Sequence, residues 1–475
     1  MVPDESSSLV EQVDATYGSS TNGDWVSNIV LVEEHYYPEA RGENGEFELI
    51  TVDPHYIIEQ NIEEKSGLLR SFFNLLRVNL ESGILAIPSG FLLCGLIAGP
   101  VIMLFVAFVS IYCCLLLDKA RDKLRHKYFC DKYHTYGMIS EYVGGTVLRG
   151  VVEFGLLVGQ IGSVTSYVIF ACANLVPVAK AVFGYNVPFY LFALALYPVL
   201  CALCWIRNMR SIAPISGVAN GVFIMGLLAI MTYETWFVLG SGAWTWRATW
   251  INLPGIPLFI GVAVYCMATI STALPVENNM RDPAQFSWFF SATMYLVLLL
   301  LSVFGSFGYV AFGSDTQDVI TLNLPATSIF YLLTASICLC LVLTYPAQIF
   351  PVIEICEKHV FFERAYAAKL NPMLLYWLQN AFRSFIVLTT VVAAVCIPNV
   401  GIILSLTGAS TGPAIGYIIP VLIYFRLHWH QGIRWYILLF HVGIIIFALT
   451  VTLIGTTSAL ASALSIFYTS AHHEL

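Results

Sequence analysis

One apolar run after another, each on the order of 20 residues long, decides what this chain can fold into. Such runs recur eleven times, at about 67–94, 95–117, 148–179, 189–206, 212–233, 255–276, 286–311, 327–356, 372–396, 401–425 and 435–468. They are continuous, not alternating with period two, so each reads as a helix and a β-barrel is excluded. In hydrocarbon every backbone N–H and C=O needs a partner, and a single apolar run finds them only as a helix. The composition agrees: 11% of residues are charged and mean hydropathy is +0.77, whereas soluble domains carry about 25% charged residues. The expected fold class is an all-α polytopic membrane protein, with the lipid bilayer as its first partner.

Charge is distributed unevenly. Residues 1–65 hold 15 Asp and Glu against Arg41 and Lys65, while the remainder holds 15 acids against 20 Lys and Arg. With no apolar run of its own, the stretch 1–66 reads as a disordered, acidic cytosolic tail. It lacks the basic start and apolar core of a signal peptide, so the first span is its own insertion signal. Lys119, Arg121, Lys123, Arg125, Lys127 and Lys132 follow the second span, and later loops on that side add eight more cations, from Arg207 to Arg434. The opposite side keeps only Lys180 and Arg247. The positive-inside rule then places the amino terminus in the cytosol. The twelve cysteines fall mostly inside spans and read as small hydrophobes. Cys201-x-x-Cys204 lacks the βαβ context of a redox motif.

Two spans carry polar residues where a plain helix would not. The first contains "RVNLESGILAIPSG", with Asn79, Glu81, Ser82, Gly83 and Pro88. A charge near mid-bilayer costs roughly 2.5–3.5 kcal/mol or more, so Glu81 marks a functional site. The sixth contains "VYCMATISTALPVENN", with Tyr265, Cys266, Ala268, Thr269, Ser271, Thr272 and Pro275. Five helices separate the two starts, the spacing of transporters built from two inverted five-helix repeats. The expectation is that helices 1 and 6 are interrupted, near 79–83 and 266–272. Unwound backbone there would face a cavity, its N–H groups attracting a carboxylate and its carbonyls an ammonium group or cation. The expected domains are repeat one over 67–235, repeat two over 255–425 and an eleventh helix over 435–468, within a transporter unit of 67–470.

The segments "NLLRVNLESGILAIPSGFLLCGLIAGP", "VEFGLLVGQIGSVTSYVIFACANL", "ALPVENNMRDPAQF", "FGYVAFGSDTQDVITLNLP" and "LSLTGASTGPAIGYIIP" occur in an order that resembles the amino acid/auxin permease family, most nearly its proton-coupled amino acid transporter branch. The resemblance runs over about 68–465. It implies a LeuT-type 5+5 inverted repeat plus one helix, moving small amino acids by secondary-active transport, with spans three and eight completing the site. The sequence departs from that branch in places. The branch reads Gly-Asn-Ile-Gly-Thr-Gly where this chain reads Val78 to Gly83, and Phe-Glu-Gly-Ile-Gly where it reads Met267, Ala268, Thr269, Ile270 and Ser271. A branch histidine tied to proton handling aligns with Tyr112, and the branch's paired outer cysteines have no counterpart. The carboxylate absent at Ala268 and new at Glu81 has either crossed the pocket or pairs with Arg77 one turn earlier.

The substrate-binding candidates are Asn79, Glu81, Ser82, Gly83, Tyr167, Tyr265, Cys266, Ala268, Thr269 and Ser271, with Glu81 also the proton-coupling residue. Nothing resembles a P-loop or HExxH motif, so neither ATP-driven pumping nor enzyme chemistry is expected, and no cofactor, metal or nucleic acid. The leading function is proton-coupled transport of a small amino acid or similar zwitterion. Sodium coupling through Asn79, Ser82 or Thr344 is one alternative. A transporter-like nutrient sensor, whose tail signals to a cytosolic partner, is the other. "EKSGLL" and "YGMI" fit sorting patterns, and the plasma membrane and an endolysosomal membrane are equally open.

Overall fold

The computed structural model describes residues 67–473 apart from 129–134, 186, 207–208, 242–247, 279, 358–371 and 430–431. The acidic segment 1–66 lies outside the described residues, as do the side chains of Arg77, Glu81, Ser82 and Thr272. In chain order the helices are α1 (Leu68–Cys94), α2 (Ala98–Tyr128), α3 (Tyr136–Phe183), α4 (Phe189–Cys204) and α5 (Met209–Ser241). Two pieces follow, α6a (Ile256–Cys266) and α6b (Ile270–Asn278), then α7 (Phe286–Phe312), α8 (Ser328–Glu357) and α9 (Pro372–Cys396). The last are α10 (Val400–His428) and α11 (Trp435–Ser465, its helix continuing to His473). No strand occurs among the described residues. Eight helices there are long and apolar enough to cross a membrane, and Gly83–Cys94, Phe189–Cys204 and Leu253–Cys266 are shorter apolar helices.

The packing has the pattern that a five-helix unit and its repeat produce. α1 packs on α7, and α6, five helices later, packs on α2. α3 packs on α10 as α8 packs on α5, and α5 packs on α7 as α10 packs on α2. α1, α3 and α4 each pack on their own counterparts α6, α8 and α9. A unit with an odd number of crossings leaves its successor entering from the opposite face, the arrangement of transporters built from inverted repeats. We call the end where α1 begins proximal and the other distal.

The interruption expected in the first span is absent. α1 is helical without a break from Leu68 to Cys94, with Pro88 inside it. The physical reason is the solvent: a glycine in a helix costs only about 1 kcal/mol, whereas each backbone group freed in hydrocarbon costs several. Asn79 spends its amide on its own helix, Nδ2 donating to the Leu75 carbonyl over 2.7 Å. The break expected in the sixth span is present.

Several other polar positions in the spans are satisfied in pairs. α3 bends at Gly144 and Gly145, and Gly145 (φ 68, ψ −166) adopts a conformation that favours glycine. Arg149 staples the bend, donating to Glu153 over 2.7 Å and to Glu141 over 3.0 Å. Arg383, inside α9, pairs with an acid: it donates to both Glu357 oxygens, over 2.7 and 3.0 Å, and to the Cys204 carbonyl over 3.0 Å. Tyr112 meets buried His441 of α11, hydroxyl to Nε2, over 2.7 Å. At the proximal end Arg121 is not a loop cation but a buried one. It bonds Glu277 of α6b and, over 3.4 and 2.8 Å, Asp118 and Asp122. Asp118 in turn accepts from Ser287 of α7 over 2.9 Å.

Candidate substrate site

α6a ends at Cys266 because the next residues cannot continue its hydrogen bonding. Met267 leaves the helix (φ −105, ψ 5), and Thr269 and Ser271 bring hydroxyls that compete for the backbone. Pro275 adds a missing donor one turn later. Ala268 N–H donates to the Tyr265 carbonyl over 3.2 Å, Thr269 N–H to the Met267 carbonyl over 2.9 Å, and Ala273 N–H to the Thr269 carbonyl over 3.0 Å. The N–H groups of Ile270, Ser271 and Thr272 therefore open α6b without intrahelical partners. The carboxyl-terminal end of α6a, with its negative dipole end, lies opposite them.

Beside this break lies a cavity of about 110 Å³. Val78, Asn79 and Gly83 of α1 line it, with Tyr265, Cys266, Ala268, Ile270 and Ser271 of α6. α3 contributes Gly155, Leu156, Gly159, Gln160 and Ser163, α8 Gln348, and α10 Thr407, Gly408, Thr411, Gly412, Ile415 and Gly416. None of these residues is charged. Tyr265 Oη donates to Ser163 Oγ over 2.8 Å, and Gln348 Nε2 reaches Ser163 Oγ and Gln160 Oε1, each at 3.4 Å.

Close backbone approaches hold the walls. A Cβ on Gly83 would come within 2.9 Å of Cys266 Sγ and 3.6 Å of the Tyr265 ring. One on Gly408 would come within 2.7 Å of Tyr265 N. The cavity runs from mid-bundle toward the proximal end, where the Tyr136 hydroxyl donates to the Ile415 carbonyl over 2.6 Å. That carbonyl belongs to the π-turn Ala414–Ile418 of α10. The distal side is closed. Leu96 N–H donates to the Thr249 carbonyl over 2.9 Å and Asn252 N–H to the Cys94 carbonyl over 2.8 Å. Beneath them Phe91 and Phe259 meet edge to face, centroids 5.6 Å apart.

Of the residues expected from sequence, Asn79, Gly83, Tyr265, Cys266, Ala268 and Ser271 come together at this cavity. Tyr167 does not: it faces a separate hollow with Leu76, Leu80, Asn220 and Thr344, because its turn of α3 points between α1 and α5. Thr269 is buried away from the cavity, its hydroxyl 3.8 Å from Cys114 Sγ. The side chains of Glu81 and Ser82 lie outside the described residues; their backbone is helical, in the turn between Asn79 and Gly83. Gln160, Ser163, Gln348, Thr407 and Thr411 were not expected there. Gln348, a polar side chain between Pro346 and Pro351 in an apolar span, was the readable signal. As for metal, Asp118, Asp122 and Glu277 converge, but the Arg121 guanidinium bonds to all three and fills the place of a cation.

The sequence profile of the family described as transmembrane amino acid transporter protein matches residues 64–461. The chain belongs to that family. It is similar to the amino acid transporter ANT1 of Arabidopsis thaliana, with 26% identity over 75% of this chain and 84% of the relative. It is similar to the proton-coupled amino acid transporter-like protein pathetic of Drosophila melanogaster, with 29% identity over 76% and 77%. It is also similar to vacuolar amino acid transporter 3 of Saccharomyces cerevisiae, with 27% identity over 82% of this chain and 55% of that longer protein. The family is one of multi-pass membrane proteins that carry amino acids, and it comprises transporters rather than enzymes.

Proposed function

We propose that the cavity takes a small amino acid as a zwitterion and that the chain moves it together with a proton. The observation that carries this reading is the break in α6 on the wall of a cavity where no charged residue stands among the described lining. A zwitterion brings both charges itself. The N–H groups opening α6b suit its carboxylate, and the carbonyls closing α6a suit its ammonium group. Gly83 against Cys266 leaves little room for a bulky side chain between α1 and α6a, which favours small substrates.

The proton is preferred over sodium on chemistry. A hard cation needs several free oxygens. Continuous α1 offers no unwound carbonyls, and the Thr344 hydroxyl is turned into its own helix, onto the Cys340 carbonyl at 3.0 Å. The printed name of the Drosophila relative points the same way. Glu81, a carboxyl in the turn that carries Asn79 and Gly83 to the cavity, is the group we assign to carrying the proton. The excess of cations in the proximal loops puts that end, and the amino terminus, in the cytosol. The cavity then faces the cytosol. The vacuolar relative supports an endolysosomal membrane over the plasma membrane.

Uptake by the purified full chain in proteoliposomes, over a panel of amino acids, tests this. An inward-directed pH gradient should drive accumulation of small neutral amino acids, and replacing sodium with choline should leave it unchanged. Accumulation that needs sodium and ignores pH would overturn the coupling; no uptake of any amino acid would overturn the reading.

A further inference from the structure

A second carboxyl lies outside the cavity's lining and has no role in what precedes. Glu234 lies in the distal half of α5, in "MTYETWF", with 0% of its surface exposed. Neither of its oxygens has a hydrogen-bond partner among the described residues. A Cβ built on Gly308 of α7 would lie 3.1 Å from Glu234 Oε1 and 2.8 Å from the Pro88 ring of α1. The carboxyl therefore fills the junction where α5, α7 and α1 meet, and it fits because position 308 has no side chain.

Among the described residues, no charge or donor reaches it from the elements around it. α1 presents Pro88, which has no N–H. On α7 the Tyr309 hydroxyl is engaged with Thr249, accepting from its N–H over 2.9 Å. On α5 itself Tyr233 packs on Phe237 and on Phe330 of α8. No charged side chain among the described residues acts on Glu234. An ionised carboxylate without partner or water in such a place is far costlier than a neutral one. The charged form is admitted only if water enters, and water enters only if the three helices part.

We propose that Glu234 is a proton-binding site, separate from the substrate cavity, whose proton is the condition for α1, α5 and α7 to close at the distal end. The inference rests on the proton-coupled reading above and deepens it: the proton acts at a second place, on the gate opposite the cavity's mouth. Acid on the distal side favours the closed junction, and alkali favours the open, hydrated one.

Ser89, next to Pro88, is a reporter of that closure. Half-buried, it donates to the Ala86 carbonyl over 2.8 Å and to the Asp318 carbonyl over 3.1 Å. Cys396, exposed at the distal end of α9, is a native reference thiol. The experiment labels Ser89→Cys protein in proteoliposomes with a membrane-impermeant maleimide across a pH series, without amino acid. Mass spectrometry reads the ratio of labelling at residues 89 and 396. In the parent the ratio should rise with pH, by up to about tenfold per unit as one linked proton allows. In Glu234→Gln it should stay at the low, closed value at every pH. A flat ratio in the parent, or a Glu234→Gln protein that rises as the parent does, overturns the proposal. Should Glu234→Gln not fold, Glu234→Asp decides: the shorter carboxyl should titrate with a displaced midpoint, and an unchanged midpoint overturns the proposal. The readout uses no substrate, so its failure is distinguishable from that of the transport reading. Proton-driven uptake with flat labelling sinks only this inference; pH-dependent labelling without uptake sinks only the other.

Discussion

The Tyr265 hydroxyl donates to Ser163 Oγ over 2.8 Å, tying α6a to α3 across the cavity one residue before α6a ends. The bond fixes the last turn of α6a, whose carbonyls are the proposed contacts of the substrate ammonium. Tyr265→Phe removes the donor and keeps the ring. A hydrogen bond of this kind contributes about 0.5–1.5 kcal/mol, so KM should rise roughly two- to tenfold with little change in expression. Uptake kinetics in proteoliposomes give the answer, and an unchanged KM would show that the substrate does not sense this tie.

Gly83 is the point of closest approach between α1 and the break. Gly83→Ala puts a Cβ 2.9 Å from Cys266 Sγ, too close to keep, so the Cys266 side chain or α1 must shift and uptake should fall. Gly83→Leu should abolish it. Membrane insertion is to be checked for both, and normal uptake by inserted Gly83→Leu protein would place the pocket elsewhere.

Arg121 holds three carboxylates together at the proximal end, two of them buried with it. Arg121→Met leaves those charges uncompensated, which for a buried cluster costs about 3–5 kcal/mol. The expected result is a large drop in thermal stability in detergent. Adding Glu277→Leu should recover part of the loss, and a double variant no better than the single would remove Glu277 from the cluster.

Glu81→Gln keeps the side-chain shape and ends its titration. Accumulation driven by a pH gradient should disappear while exchange at equal concentrations persists. Loss of both would reassign Glu81 to holding the substrate ammonium. Poor expression, rescued by also neutralising Arg77, would make the two a structural pair.

The helices were legible because an apolar run in hydrocarbon has one backbone solution. The break in α6 was legible too, since Thr269, Ser271 and Pro275 crowd one turn. In the first span Ser82, Gly83 and Pro88 suggested the same, yet α1 continues. Local composition lowers the cost of a break but does not decide it; here α1 keeps its helical hydrogen bonds through the turn where α6a packs against Gly83. Half of the cavity's polar lining was not singled out residue by residue for a related reason. Gln160, Ser163 and Gln348 stand on α3 and α8, and only their meeting in space makes a wall of them. The Tyr112–His441 pair joins α2 to α11 across most of the chain, a distance over which no local pattern carries information.

The unbroken α1 beside a jointed α6 has a kinetic corollary. If both symmetry-related helices carried a joint, the opposite-facing state would follow by letting the two repeats trade shapes. Here one partner is a lever and the other an elbow, so the two faces of the cycle are not mirror images. Substrate would meet a different geometry, and a different affinity, on each side of the membrane. A carrier built this way is asymmetric in its affinities only: without a gradient its inward and outward fluxes are still equal, and the difference between its faces shows when substrate is offered from one side at a time.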